Sequence, residues 1–267
     1  MHRLFREVRF SINPFGAESR PGFNSYASKP CGDGLAVYLA LGVELSGPLN
    51  PDSGFVVNVS EIDRAVRRRV VPDFEDTIRG LFGQQRPSDL DVLFDLLEKA
   101  GRSLQAVFTP RVSKLVLSLN PYRKMTLLRE NDPVRLYSEQ FEFAAMHRLW
   151  NDRFSEAENF QTFGKCANPA GHGHNYILEV TVRIPDTAAQ VGWISEFERG
   201  VEEYFLSIVD HKNLNLDVPL FSRLNPTVEN LASYAWECLC DKFDGVCLNK
   251  ITVWENNRTC CTCEGND

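Results

Sequence analysis

The feature that most limits how this chain can fold is that its two halves follow one plan. The stretch "CGDGLAVYLALGVEL" around residue 32 is matched by "AGHGHNYILEVTVRI" around 171, with Gly32 and Gly171 lying 139 positions apart. Pro87 in "RPSDLDVLFDLLEKA" and Pro226 in "NPTVENLASYAWECL" keep that same offset of 139. Lys114 in "SKLVLSLNPYRK" and Lys250 in "NKITVWENNRTC" follow at 136. A near-constant offset at three ordered places means tandem domains, not a solenoid of short repeats.

Each half reads in the same order. A strand, "REVRFSI" or "EQFEFAAMH", precedes a glycine-rich turn. A long β-rich segment follows, "LAVYLALGVEL" or "NYILEVTVRI", alternating or apolar over more than six residues. Helical spacing comes next in "VSEIDRAVRRRVV" and "EFERGVEEYFLSIV". A second helix starts after a proline at Ser88 or Thr227, both suited to an N-cap. Two strands close each unit. The expected class is α+β, as tandem β-β-α-α-β-β domains with antiparallel sheet. The expected domains are 1–124 and 137–267, with "MTLLRENDPVRLYS" (125–138) as the connection.

Composition narrows the setting. Apolar residues make up 43% and charged residues 24%, the balance of a globular protein. The net charge of −7 argues against nucleic acid, whose binding rests on clustered Lys and Arg. The basic run Arg67-Arg68-Arg69 reads as a solvated helix face. No apolar run approaches the roughly 20 residues that span a bilayer, and "MHRLFREVRF" has no signal-peptide core. A cytoplasmic location, with no membrane partner, is expected. The eight cysteines lack the spacing of a disulfide scaffold, and "TCCTC" lacks a second metal-binding pair. Free thiols on a terminal strand are expected there.

The chemistry-bearing residues lie in the second half. Residues i and i+2 of a strand share a face, so His172 and His174 in "GKCANPAGHGHNY" present two imidazoles side by side. His147 ends the neighbouring strand and can complete a set of three, which suits zinc with one position open. A closed structural site, with Cys166 as fourth ligand, satisfies the same spacing. Asp210 and His211 in "VDHKNLNLDVP" form a carboxylate–imidazole pair. Such a pair can hold a neighbouring thiolate, which would join Cys166 to them as a proton-transfer set. If Thr227 caps its helix, Glu229 lies in the first turn, where the helix dipole keeps it ionised. An ionised carboxylate accepts paired hydrogen bonds from an amidine-like edge. Glu255, at the end of the strand "TVWEN", suits the same task.

"FAAMHRL", "FGKCANPAGHGHNY", "VDHKNLNLDVP", "PTVEN" and "VWEN" stand in the order found in 6-pyruvoyl-tetrahydropterin synthases. The second half, over about 137–265, closely resembles that family. The resemblance implies the tunnelling fold (T-fold), whose sheets join around a ring into an oligomeric barrel. It implies zinc on His147, His172 and His174, and a catalytic triad of Cys166 as base with Asp210 and His211. It implies pterin anchoring by Thr227, Glu229 and Glu255, and 7,8-dihydroneopterin triphosphate as substrate. No redox cofactor is implied. Triphosphate contacts are unassigned, with Arg148, Lys165 and Lys212 nearby. "GWISEF" departs from the family pattern: Glu196 stands at an acidic or amide position, and the interval to Asp210 is about three residues short.

In the first half Asp33 and Leu35 replace the histidine pair, Leu119 stands for Glu255, and "RFSINPF" has no histidine. That half reads as a degenerate T-fold domain without zinc, kept for assembly. Two domains per chain suit a homo-oligomer such as a trimer with two stacked rings. Two rival functions stand beside the synthase reading. One is 6-carboxytetrahydropterin synthase, against which the five-residue spacer between Cys166 and His172 weighs. The other is a non-catalytic pterin-binding or structural zinc protein, which has no use for a thiol base.

Overall fold

The computed structural model describes residues 1–15, 36–85, 90–129, 132–185 and 192–265. Gly32, Asp33, Leu35, Cys31, Pro87 and Ser88 lie outside the described residues. The chain divides into two compact units, Met1–Tyr137 and Ser138–Asp267.

In the first unit β1 (His2–Ile12) and β2 (Val37–Gly47) pair antiparallel. Helices α1 (Val59–Arg69), α2 (Val71–Gly83) and α3 (Leu90–Gln105) follow, then β3 (Arg111–Ser118) and β4 (Arg123–Leu128). The strands lie in the order β1-β2-β3-β4, and each neighbouring pair is antiparallel. Alternation explains the buried face. Leu39, Leu41, Val43 and Leu45 of β2, with Val112, Leu115 and Leu117 of β3, are buried with Ile62 and Val66 of α1 and Phe94 and Leu97 of α3. The opposite face carries charged groups. There Glu44 meets the Lys114 ammonium at 2.9 Å and accepts from the Ser113 hydroxyl at 2.7 Å.

Two expectations fail in this unit. A third helix, α2, follows α1 at once. The chain turns at Val70, and Pro72 sits in the first turn of α2, where its missing N–H costs nothing. The presumed connection 125–138 is mostly strand. Met125 and Leu127 alternate inward on β4, fully buried, and β5 (Val134–His147) begins right after Pro133.

The second unit continues from β5 through α4 (Glu156–Phe163) to β6 (His172–Ile184). α5 (Trp193–Val201) runs through a π-helical turn (Glu202–Leu206) into α6 (Ser207–Val209). Then come β7 (Lys212–Asn213), α7 (Leu214–Asp217), α8 (Val228–Leu239), β8 (Cys247–Asn256) and β9 (Thr259–Glu264). The order is β5-β6-β8-β9, with β7 parallel to the end of β5 through Ala145 and Lys212. β6 pairs antiparallel with β8, and β8 with β9. Leu178, Val180 and Val182 of β6 and Ile251 and Val253 of β8 are buried with Leu231, Ala235 and Leu239 of α8. Each fully buried leucine of this kind stabilises by roughly 1.5–3 kcal/mol. The other face pairs hydroxyls, Ser138 with Thr181 at 2.9 Å, both buried, and the buried Thr252 with the exposed Thr262 at 3.0 Å.

Thr227 caps α8, its side chain accepting from the Asn230 N–H. The thiols of Cys260, Cys261 and Cys263 lie on the terminal strand β9 and are free. No helix among the described residues is long and apolar enough to cross a membrane.

Candidate metal and catalytic site

The site forms where β5 ends beside the start of β6. Between them the chain makes a detour that the opening pattern did not predict as helical. Ser155 caps α4, its hydroxyl accepting from the Glu158 N–H while Glu158 accepts from the Ser155 N–H. "SEAE" is a capping-box signal legible in the sequence. Asn159, fully buried, ties this loop together by donating to the carbonyls of Asn151, Phe154 and Ser155. α4 stops at Gly164, whose φ of 55° no branched residue adopts easily. A single 3₁₀ turn, Gly164–Ala167, then carries Cys166 back beside β5, where its carbonyl accepts from the Leu149 N–H at 2.8 Å.

The chain enters β6 through Gly171 at φ 70°, its N–H bonded to the Asn168 carbonyl. A Cβ at Gly171 would lie 2.9 Å from the His147 carbonyl oxygen. Gly171→Ala therefore combines left-handed strain with a backbone clash at the histidine it sits against. The expected loss is about 1–2 kcal/mol from the backbone conformation alone, measured as a lower urea midpoint, together with reduced metal content.

His147 is 1% exposed. Its Nδ1 bonds the Pro226 carbonyl at 2.7 Å. A carbonyl only accepts, so Nδ1 carries the proton and Nε2 presents its lone pair. That Nε2 lies 3.1 Å from His172 Nε2 and 3.6 Å from Glu255 Oε1. His174 Nε2 lies 3.5 Å from the same Glu255 oxygen. The Cys166 sulfur falls within 4.8 Å of ligand nitrogens on His147 and His172. Burial pushes the His147 and His172 imidazoles below the ordinary histidine range, which keeps them neutral.

This donor set fits a metal. His174 Nε2, which faces Glu255, is buried without a hydrogen-bond partner, a costly state unless something else satisfies it. Two candidate groups arise, His147–Cys166–His172 and His147–His174–Glu255, both in the second unit. Among the described residues the first unit holds none.

The other expected residues are placed less closely. His211 stands at φ 56°, its N–H bonded to the Ala144 carbonyl, and its ring donates to Asp210 at 2.8 Å. Burial opposes ionisation of Asp210, but the Ala144 N–H and His211 outweigh it and hold the carboxyl below its usual range. The His211 side chain is 82% exposed. Among the described residues no hydrogen bond joins this pair to Cys166. The Cys166 thiol is pushed up, first by burial and then by the Glu255 carboxylate, the direction opposite to the expected thiolate.

Two cavities flank the histidines. One, of about 720 Å³, is lined by His174, Glu255, His211 and Lys212. The other, of about 830 Å³, runs from His147 and Thr227 past Arg148, Arg153 and Arg223. Arg148 lies 3.9 Å over the Trp150 ring and donates to the Ala167 carbonyl. Arg153 and Arg223 were not singled out in the sequence, because only the fold gathers them beside Arg148. Glu229, expected beside Glu255, is exposed on the first turn of α8, where its charge acts on Cys261 of β9.

Comparison with known proteins agrees with this layout. The family model described as 6-pyruvoyl tetrahydropterin synthase matches residues 136–266. The 6-pyruvoyl tetrahydrobiopterin synthase of Homo sapiens is 39% identical over 123 residues, which cover 45% of this chain and 85% of that one. The 6-carboxy-5,6,7,8-tetrahydropterin synthase of Aquifex aeolicus (strain VF5) is 25% identical over 149 residues, covering 44% and 90%. A solved uricase from Arthrobacter globiformis is 8% identical with a TM-score of 0.50, covering 99% of this chain and 93% of that one, a likeness of fold alone. With a relative of 39% identity matched over most of its length, and a second unit that gathers the expected histidines, the chain belongs to the 6-pyruvoyl tetrahydropterin synthase family.

Proposed function

We propose that this protein is a zinc-dependent lyase that converts 7,8-dihydroneopterin triphosphate to the 6-pyruvoyl tetrahydropterin with loss of triphosphate. The observation that carries this reading is the convergence of His147, His172 and His174 beside Cys166, in a fold unit of this family. The higher identity to the pyruvoyl relative than to the carboxy relative supports the product assignment.

His147, His172 and His174 hold the zinc, which when bound polarises the substrate's side-chain oxygens as a Lewis acid. Cys166 takes protons from the side-chain carbons. The electrons released at one carbon reduce the pterin ring, so the rearrangement is internal, and triphosphate leaves with its bonding pair. Thr227, Glu229 and Glu255 anchor the pterin through its N–H edge. The cleft bearing Arg148, Arg153 and Arg223 suits the polyanionic end, since guanidinium forks match phosphate.

Asp210 and His211 act across a boundary between copies. This is supported by the exposure of His211 and its lack of a hydrogen bond to Cys166 within the described chain. The first unit is a degenerate tandem copy of the same fold that serves assembly. Its strand–helix–strand order and the uricase-like fold spanning 99% of the chain support that view. Among the described residues β1 pairs only with β2 and β9 only with β8, so each has an unpaired side. Closing a ring of chains, such as a trimer, removes such edges. A cytoplasmic location belongs to the same reading.

The deciding experiment is to incubate the zinc-loaded protein with 7,8-dihydroneopterin triphosphate and identify the products. Triphosphate and a pyruvoyl pterin are expected. Acetaldehyde release would reassign the chain to the carboxy branch. Absence of turnover with retained pterin binding would leave a binding protein. Sedimentation as a monodisperse monomer would overturn the ring.

A further inference from the structure

We propose that Glu255 is an exchangeable fourth ligand of the metal, which closes the site until a pterin draws the carboxylate away. This rests on the reading that the three histidines hold a metal. It assigns Glu255 a second task at the same centre.

The spacing of the donors carries the proposal. A tetrahedral ion with nitrogen and oxygen ligands at about 2.0–2.1 Å sets its donor atoms about 3.4 Å apart. The Glu255 oxygen lies 3.6 Å from His147 Nε2 and 3.5 Å from His174 Nε2, while the two imidazole nitrogens of His147 and His172 are 3.1 Å apart. The carboxylate thus stands to His147 and His174 at the spacing that donors of one ion keep, in the candidate group formed by His147, His174 and Glu255.

The hydrogen-bond directions point the same way. His147 spends its proton on the Pro226 carbonyl, so a lone pair faces a carboxylate oxygen. Two acceptors that face each other repel unless a cation lies between them. His174 Nε2, buried and unpartnered, is aimed at the same oxygen.

The backbone explains why Glu255 reaches this point. On β8, Trp254 pairs with Cys260 and Asn256 with Thr259, and the ladder shifts register between them. The shift leaves Glu255 out of the ladder, and irregularities of this kind re-aim a side chain beside a site. Glu255 also lines the open cavity with His174 and His211, so the carboxylate can leave the metal without crossing the core. Ring recognition and metal opening become one event. A ligand with the diol side chain but no N–H edge to compete for Glu255 leaves the metal closed.

Cobalt(II) in place of zinc reads this directly, because four-coordinate cobalt absorbs visible light far more strongly than five- or six-coordinate cobalt. The full-length wild type should show the intense four-coordinate bands. Glu255→Gln, nearly isosteric, should lose most of that intensity as water completes a larger shell. Neopterin without phosphates, added to the wild type, should cause the same loss without any substitution, which covers the case of a poorly folded variant. It should cause little further change in Glu255→Gln. A wild-type spectrum unaltered by both the substitution and neopterin overturns the proposal while leaving the metal reading intact. A sulfur-to-cobalt charge-transfer band lost in Cys166→Ala overturns it in favour of the thiol as fourth ligand. Failure of the wild type to take up cobalt or zinc overturns both readings.

Discussion

His147→Ala should remove the metal, abolish turnover and weaken the fold, all through one side chain. The imidazole is the shared member of both candidate ligand groups, so neither survives its loss. The structural cost has a separate cause. His147 Nδ1 satisfies the buried Pro226 carbonyl at the entry to α8. Truncation leaves that carbonyl unpaired, at about 1–3 kcal/mol, and opens a void at a position that is 1% exposed. His174→Ala is the informative partner. Its side chain is 22% exposed and, among the described residues, bonds no backbone group, so it should lose the metal with a smaller fall in stability. Elemental analysis and urea unfolding separate the two effects. Chelator-treated wild type should resemble His174→Ala in its unfolding midpoint, and His147→Ala should lie below both. A His147→Ala protein that keeps one zinc per chain would remove this histidine from the ligand set.

Cys166→Ala should leave zinc in place and cut kcat by about 10²–10⁴-fold, the range for loss of a positioned proton-transfer group. Cys166 sits on a short turn fixed by its own backbone carbonyl, so the substitution should cost little stability. Loss of zinc in step with activity would make the thiol a ligand and the site a closed one. The same variant tests where His211 acts. An exposed Asp210–His211 pair with no hydrogen bond to Cys166 in its own chain can serve the thiol of another copy. Mixing inactive Cys166→Ala and His211→Ala chains, then allowing subunits to exchange, should regenerate some sites with both residues intact. No recovery after verified exchange would place all three in one chain.

Much of the fold was legible because it rests on period and capping. Alternation marked β2 and β6, and a proline followed by a capping residue marked the start of α8 at Thr227. What was missed has local causes too. α2 was hidden because α1 and α2 run together with a single turn at Val70. α4 is only eight residues long, yet its capping box at Ser155 and Glu158 was there to be read. The segment 125–138 passed for a linker because Pro133 drew attention from the buried alternation of Met125 and Leu127.

By itself the sequence determined that His172 and His174 share a face, that His147 ends a strand with the right chemistry, and that the second half carries this family's motifs. Those facts follow from the two-residue period of a strand and from residue type, which are local. Tertiary structure alone decided what the histidines face. The Pro226 carbonyl, 79 positions from His147, fixes the ring's tautomer. A register shift in β8 brings Glu255 beside His147 and His174, and a turn after α4 brings Cys166 beside His147 and His172. Such approaches depend on how strands far apart in the chain come to lie together, and no spacing within one segment encodes that.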